Sequence, residues 1–252
     1  MEHPENQKTI SEGNLSITIV SDNNSYDQNL ETAWGFSAFV KGAEKTILFD
    51  TGVDGPILLR NMEKLNINPK EIDVVVLSHI HQDHVGGLES FLGENSDVDV
   101  YVPQSFPVSF KENIEKSGAM VSEVDDVSKI CKNVYSTGEM GMFIKEQSLI
   151  IKTDKGLIVV TGCAHPGIVK IIKKTKESVK DDVLLVLGGF HLRDDSESKI
   201  NSIISDFNTL SVKYAAPTHC SGDLARQLFE NEYNDNFILA GVGKTINMDD
   251  LK

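Results

Sequence analysis

Four side chains able to bind a metal lie within six positions directly after an apolar strand. Val74-Val75-Val76-Leu77 runs into Ser78-His79-Ile80-His81-Gln82-Asp83-His84-Val85-Gly86-Gly87. A continuous apolar run of this length reads as a strand buried on both faces. The segment after it therefore starts at the carboxyl edge of a sheet, where open α/β sheets bind ligands. Alternation along extended backbone turns His79 and His81 the same way, so they can share one metal. The chain then turns, and Asp83 and His84 can face a second metal close by. Gly86 and Gly87 allow the tight curl that opens the next helix. Neutral imidazole and ionised carboxylate suit zinc, iron or manganese. One such histidine would ordinarily be a solvated loop residue. Four ligand types in six positions are a metal site.

The rest of the chain fits an α/β protein. Apolar segments at Leu15–Val20, Phe36–Val40, Thr46–Phe49, Val98–Val102, Ser148–Lys152, Leu157–Val160, Val183–Leu187, Tyr214–Ala216 and Phe237–Ala240 read as strands. Ile57, Leu58, Met62 and Leu65 recur at helical spacing before Pro69, and further helices are expected at Ser109–Lys116, Pro166–Lys176, Ser198–Leu210 and Asp223–Glu230. No linker interrupts the pattern, so residues 1–252 are expected to form a single domain of mixed sheets covered by helices. Thr161-Gly162-Cys163-Ala164-His165 and Pro217-Thr218-His219-Cys220 each place a histidine between a strand and a helix, a hint of two related halves. Of the seven histidines, all but His3 follow a predicted strand, which gathers six at one sheet edge.

Composition narrows the partners. Asp and Glu number 38 against 24 Lys and Arg, a net charge of −14, which argues against a nucleic-acid or anionic-membrane partner. The apolar runs are strand-sized, far short of the ~20 residues of a membrane span. Met1–Thr9 is polar and lacks the apolar segment of a secretory signal. Three cysteines, Cys131, Cys163 and Cys220, make no disulfide framework. The expected setting is the cytoplasm.

The H-x-H-x-D-H segment, with Ile47-Leu48-Phe49-Asp50-Thr51-Gly52 upstream of it, resembles the metallo-β-lactamase superfamily over nearly the whole chain. The resemblance implies a four-layer αβ/βα sandwich of two mixed sheets with two divalent metals at one edge, zinc first among the options and manganese or iron after it. It implies that His79, His81 and His165 bind one metal and Asp83, His84 and His219 the other, with Asp50 supporting the site from behind. Relatives usually supply a bridging Asp from the strand between the equivalents of His165 and His219. Here that strand ends Gly188-Gly189-Phe190-His191-Leu192 without an acid. Asp194 and Asp195 come later and read as surface residues or helix N-caps. Either His191 replaces the bridge or it contacts substrate, and the substrate role is preferred. Cys163 and Cys220 adjoin proposed ligands and could be metal-binding thiolates; packing is the preferred reading of both, with Cys163 placed just behind the ligands.

Thr161–Ile168, Gly188–Leu192 and Pro217–Gly222 further resemble the branch that contains the archaeal 7,8-dihydropterin-6-methyl-4-(β-D-ribofuranosyl)aminobenzene 5′-phosphate synthase, although Trp34 stands where many members carry a His. That resemblance implies a metal-dependent transferase condensing a dihydropterin methyl diphosphate with an arylamine ribotide, with catalytic roles for Asp83 and His191. A metal-dependent hydrolase of a phosphoester, thioester or lactone would use the same ligands, and a ligand sensor with little catalysis is a third reading. The expected partner is a small phosphorylated molecule, for which Arg193 beside His191 offers matching geometry. Gly241-Val242-Gly243-Lys244-Thr245 is not a phosphate loop, because Ile238 stands where that motif needs glycine. Lys170, Lys173, Lys174 and Lys176 read as a solvated helix face.

Overall fold

The computed structural model describes residues 15–252; His3 and the polar Met1–Thr9 segment lie outside the described residues. In the first sheet, β1 (Ser16–Ser21), β2 (Ser37–Lys41) and β3 (Ile47–Phe49) form an antiparallel meander. β4 (Val74–Val76), β5 (Asp99–Pro103) and β6 (Met120–Val124) then continue from β3 in parallel. The second sheet repeats the plan. β7 (Ser128–Cys131), β8 (Val134–Ser136), β9 (Leu149–Lys152) and β10 (Leu157–Thr161) pair antiparallel, and β11 (Val183–Gly189) and β12 (Tyr214–Thr218) follow in parallel. The last strand, β13 (Thr245–Asn247), returns to the first sheet and pairs antiparallel with β1.

Helices cover the outer face of each sheet. Leu58 and Met62 of α1 (Gly55–Lys64) are buried against the first sheet. A single turn, α2 (Gln82–Val85), leads into α3 (Leu88–Glu94), and with α4 (Val108–Lys116) they add Val85, Phe91 and Ile114 to the same cluster. The second sheet is covered by α5 (Ile168–Val179), α6 (Glu197–Thr209) and α7 (Asp223–Tyr233) through Ile171, Ile172, Phe207 and Phe229. A third cluster, including Ile17, Phe36, Phe49, Ile151, Val160 and Leu187, fills the space between the sheets. Fully burying such side chains contributes about 1.5–3 kcal/mol each. The layers are therefore held by apolar packing, and the loops at their edge are carried by it. This is the expected αβ/βα sandwich of two mixed sheets.

Two expectations need correction, and a third, open between surface and N-cap for Asp194 and Asp195, resolves to the surface for Asp194. Residues 237–240 form no strand: Phe237 makes one isolated bridge to Ala215, and the chain then turns away toward β13, leaving Leu239 exposed. The two strand–histidine–helix segments that hinted at related halves both belong to the second sheet, on β10 and β12, either side of β11. The duplicated plan lies between the two sheets instead. The N-cap of α6 is Ser196, whose hydroxyl accepts from the Lys199 amide; Asp194 is exposed and Asp195 pairs with Lys199 at 2.8 Å. The lysine-bearing face of α5 is solvated as expected, with Lys174 and Lys176 paired to Asp126 and Asp182. Lys244 rests over the Tyr26 ring at 4.9 Å. No helix of the described residues is long and apolar enough to cross a membrane.

Candidate metal centre

β4 ends at Val76, and the following loop delivers His79 and His81 to the sheet edge with ring centroids 4.6 Å apart. One buried carboxylate organises this loop. Asp50, in a left-handed conformation just after β3, accepts from the Ser78 amide at 2.6 Å and the Ser78 hydroxyl at 2.7 Å. It also holds His84 Nδ1 at 2.7 Å. The Ser78 hydroxyl lies 2.9 Å from His79 Nδ1, so Asp50 orients both imidazoles, one directly and one through a serine. Burial alone would lower the His84 imidazole, but Asp50 against it raises it instead. The helical turn carrying Asp83 and His84 is pinned from the opposite side, where the Thr51 amide and hydroxyl both donate to the His84 carbonyl.

The second sheet contributes its histidines from three separate strand ends. His165 follows β10, His191 follows β11 and His219 follows β12. Ala164, His191 and His219 all have left-handed backbone, with φ of 58°, 55° and 50°. A second buried carboxylate shapes the first of these loops. Glu146 accepts from the amides of Cys163 and Ala164 at 2.9 Å and of His165 at 2.8 Å, and from the Thr161 hydroxyl at 3.1 Å. Burial raises its carboxyl, against the pull of those amides. The neighbouring Gln147 amide donates to the Ser78 carbonyl at 2.9 Å, which ties the two sheets together directly beneath the histidines. His219 Nδ1 is 2.8 Å from Asn23 Oδ1, on the loop after β1.

These loops gather ligand atoms of Asp83, His84 and His219 into one group and of His79 and His165 into another, with the His81 ring beside the second. The His165 ring lies 4.7 Å from that of His79 and 4.9 Å from that of His81, and the His84 and His219 rings are 5.0 Å apart. Asp83 Oδ2 stands 3.4 Å from His219 Nε2 and 3.7 Å from His84 Nε2. Burial alone would raise the Asp83 carboxyl, but the two imidazoles hold it well below the usual carboxylate range. Burial and the surrounding imidazoles keep His79 far down, and burial with His191 and His81 lowers His165 to about 4. Neutral imidazole and ionised carboxylate are the forms that bind metal. The Nε2 atoms of His79, His165 and His219 are buried without a hydrogen-bond partner. Buried polar atoms are rarely left so; one cation beside His79 and His165 and a second beside His219 would satisfy them.

A family model described as the metallo-beta-lactamase superfamily matches residues 35–166. The chain is also 34% identical to the 7,8-dihydropterin-6-methyl-4-(beta-D-ribofuranosyl)-aminobenzene-5′-phosphate synthase of Methanocaldococcus jannaschii, over 92% of this chain and 96% of that one. The chain belongs to the metallo-β-lactamase superfamily. Among solved structures it is similar to Tm1679, described as a metal-dependent hydrolase of the β-lactamase superfamily, with a TM-score of 0.76 and 26% identity over 93% of this chain and 99% of that one. Human tRNase Z, short form, has the same fold, with a TM-score of 0.63 and 15% identity over 92% of this chain and 99% of that one. Membership in the superfamily implies divalent-metal binding, and these clusters provide the ligand atoms for it.

The two glycines that end β11 leave no room for a side chain. A Cβ on Gly188 would strike the Thr161 carbonyl, and one on Gly189 would strike the Gly162 carbonyl and sit 2.6 Å from Cys220 Sγ. No side chain can leave β11 there. His191 itself is exposed, with its ring 4.5 Å from that of His165 and a ring nitrogen close to the sulfurs of Cys163 and Cys220. Cys163 and then His191 lower the Cys220 thiol against the effect of burial, and Cys220 in return raises both of them. Arg193 places its guanidinium 5.1 Å over the Trp34 ring, which in turn lies 5.0 Å from His219. Sequence reasoning missed Glu146, Asn23 and Ser78. The Cys163 sulfur lies 3.2 Å from His84 Nε2, within reach of the ligand atoms on both sides.

Proposed function

We propose that this chain is a metal-dependent transferase that joins a dihydropterin methyl diphosphate to an arylamine ribotide. The observation that carries the reading is the end-to-end similarity to the Methanocaldococcus jannaschii synthase, combined with a set of donors that fits divalent metal. On this reading His79, His81 and His165 hold one ion and Asp83, His84 and His219 a second, with zinc the first choice. Bound there, the ions supply Lewis acidity to the diphosphate oxygens on which charge develops as the group leaves. The residues around them position the substrate. Trp34 is 43% exposed at the mouth of the site and offers an aromatic face, and the Arg193 guanidinium above it matches a phosphate. His191, raised by its contact with Cys220, donates a ring N–H to an anionic substrate oxygen. Asp83, held ionised, keeps His219 and His84 oriented toward the site. The same reading takes residues 1–252 as one cytoplasmic domain acting on a small phosphorylated molecule, with neither nucleic acid nor membrane as partner.

The test is to incubate the metal-loaded protein with the dihydropterin methyl diphosphate, with and without the arylamine ribotide, and to follow diphosphate and the coupled product. Diphosphate release that requires the arylamine is the expected result. Release at the same rate without it would make the chain a hydrolase, and no release in either case would refute the reaction.

A further inference from the structure

We infer that the Cys163 thiolate is itself a metal ligand, shared between the two groups of histidines. This rests on the metal reading above and goes beyond its six ligands. Cys163 Sγ lies within 4.8 Å of ligand atoms of Asp83, His84 and His219 on one side and of His79 and His165 on the other. Among the described residues it is the one side chain common to both groups. Its sulfur is 3.2 Å from His84 Nε2. Nitrogen and sulfur ligands at their usual distances on a tetrahedral zinc stand roughly 3.5 Å apart, so the spacing is that of two ligands on one ion. The residue is 4% exposed, and its amide is fixed by Glu146 at 2.9 Å, so the sulfur is placed by the backbone of the ligand loop.

The chemistry of the surroundings agrees. Three unpartnered, buried imidazole nitrogens, from His79, His165 and His219, share the space the sulfur faces. β11 has no room for any side chain at Gly188 or Gly189, so the donor between the two groups comes from the loop after β10 instead. A coordinating thiol gives up its proton to solvent, so Cys163 would join the ligands as the thiolate. A soft sulfur donor also moves the site's preference toward zinc and away from manganese. Cys220 is grouped only with Cys163 and His191, and its thiol points to the Cys163 carbonyl at 3.7 Å. It is the neighbour that holds Cys163 in place.

Cobalt(II) replaces zinc and gives an intense near-ultraviolet charge-transfer band only when a thiolate is bound. The protein, stripped by chelation and titrated with cobalt, is expected to bind two ions per chain and to show this band. Cys131→Ser/Cys220→Ser leaves Cys163 as the only thiol of the chain and is expected to keep the band. Cys163→Ser should lose it and bind cobalt at least about tenfold more weakly, the low end of the loss seen when a supporting group is removed. Cobalt bound at two per chain with no band would overturn the inference and leave the metal reading standing. A band that survives Cys163→Ser, or that vanishes in Cys131→Ser/Cys220→Ser with circular dichroism unchanged, would also overturn it. No cobalt bound at all would refute both.

Discussion

The two halves of the metal centre are each built on one buried carboxylate, and the carboxylates work differently. Asp50, under the first sheet's loop, touches side chains: the Ser78 hydroxyl and the His84 ring. Glu146, under the second sheet's loop, touches three consecutive amides and the Thr161 hydroxyl but no imidazole. Asp50 therefore sets ring orientation, and through it the basicity of His84. Glu146 sets the path of the backbone that carries His165. A metal ligand can be held by its ring or by its chain, and this protein uses one device on each side.

The harshest way to break the comparison is to remove ligands outright. His84→Ala and His81→Ala are expected to abolish turnover and lower the bound metal by about one ion per chain. Far-UV circular dichroism should stay unchanged, because the apolar layers carry the loop. Loss of the fold in both variants would make the histidines structural.

Asp50→Ala should come next. It leaves the Ser78 amide and His84 Nδ1 without their partner, and supporting groups of this kind cost about 10–100-fold in metal affinity when removed. Each buried group left unpaired also costs about 1–3 kcal/mol of stability. Competition with a chromophoric chelator and thermal unfolding of the same samples measure both. Full affinity in Asp50→Ala would show that ring orientation is fixed elsewhere.

Glu146→Gln sharpens the contrast with a smaller effect. One carboxylate oxygen becomes an NH2 group that cannot accept from the His165 amide or its neighbours, a loss of about 0.5–1.5 kcal/mol per bond. Metal binding at the His165 group should weaken by about tenfold or less, with a smaller loss at the Asp83–His84–His219 group, which Glu146 reaches only through Cys163. Stepwise calorimetric titration resolves the two, and an equal loss at both would erase the distinction between the carboxylates.

The smallest expected effect on metal content is that of His191→Ala. If His191 contacts substrate, metal stoichiometry stays at the wild-type value and only the rate falls. A loss of about one ion per chain would make it a ligand after all, and unchanged rate and metal content would leave it as an exposed loop residue. Elemental analysis and steady-state kinetics on the one variant decide between these.

The two sides also differ in how far the sequence announces them. His79, His81, Asp83 and His84 are legible because one short segment after an apolar strand supplies all four. His165, His191 and His219 are legible only as strand-end histidines, and the resemblance to the superfamily is what groups them. Glu146 carries no such signal. It sits on a loop between β8 and β9, and its amide partners lie seventeen to nineteen residues downstream, a separation that no local periodicity marks. Cys163 was legible as a candidate donor as well as a packing residue, with packing preferred because buried cysteine is common; only the fold shows its sulfur beside His84. The strands β6, β7, β8 and β13 escaped for a related reason: they are three to five residues long and lack a sustained apolar run. The 237–240 segment failed in the opposite direction, being apolar enough to resemble a strand yet left without a partner beyond Phe237.

The return of β13 to the first sheet has a consequence for folding. Ser16, Ile17 and Thr18 pair with Asn247, Ile246 and Thr245, more than two hundred residues away, and pairings between such distant segments are intrinsically slow to form. The loop after β1 carries Asn23, which holds His219 from a similarly distant part of the chain. That corner of the metal centre is therefore framed by long-range contacts, whereas His79, His81, Asp83 and His84 come from one local segment.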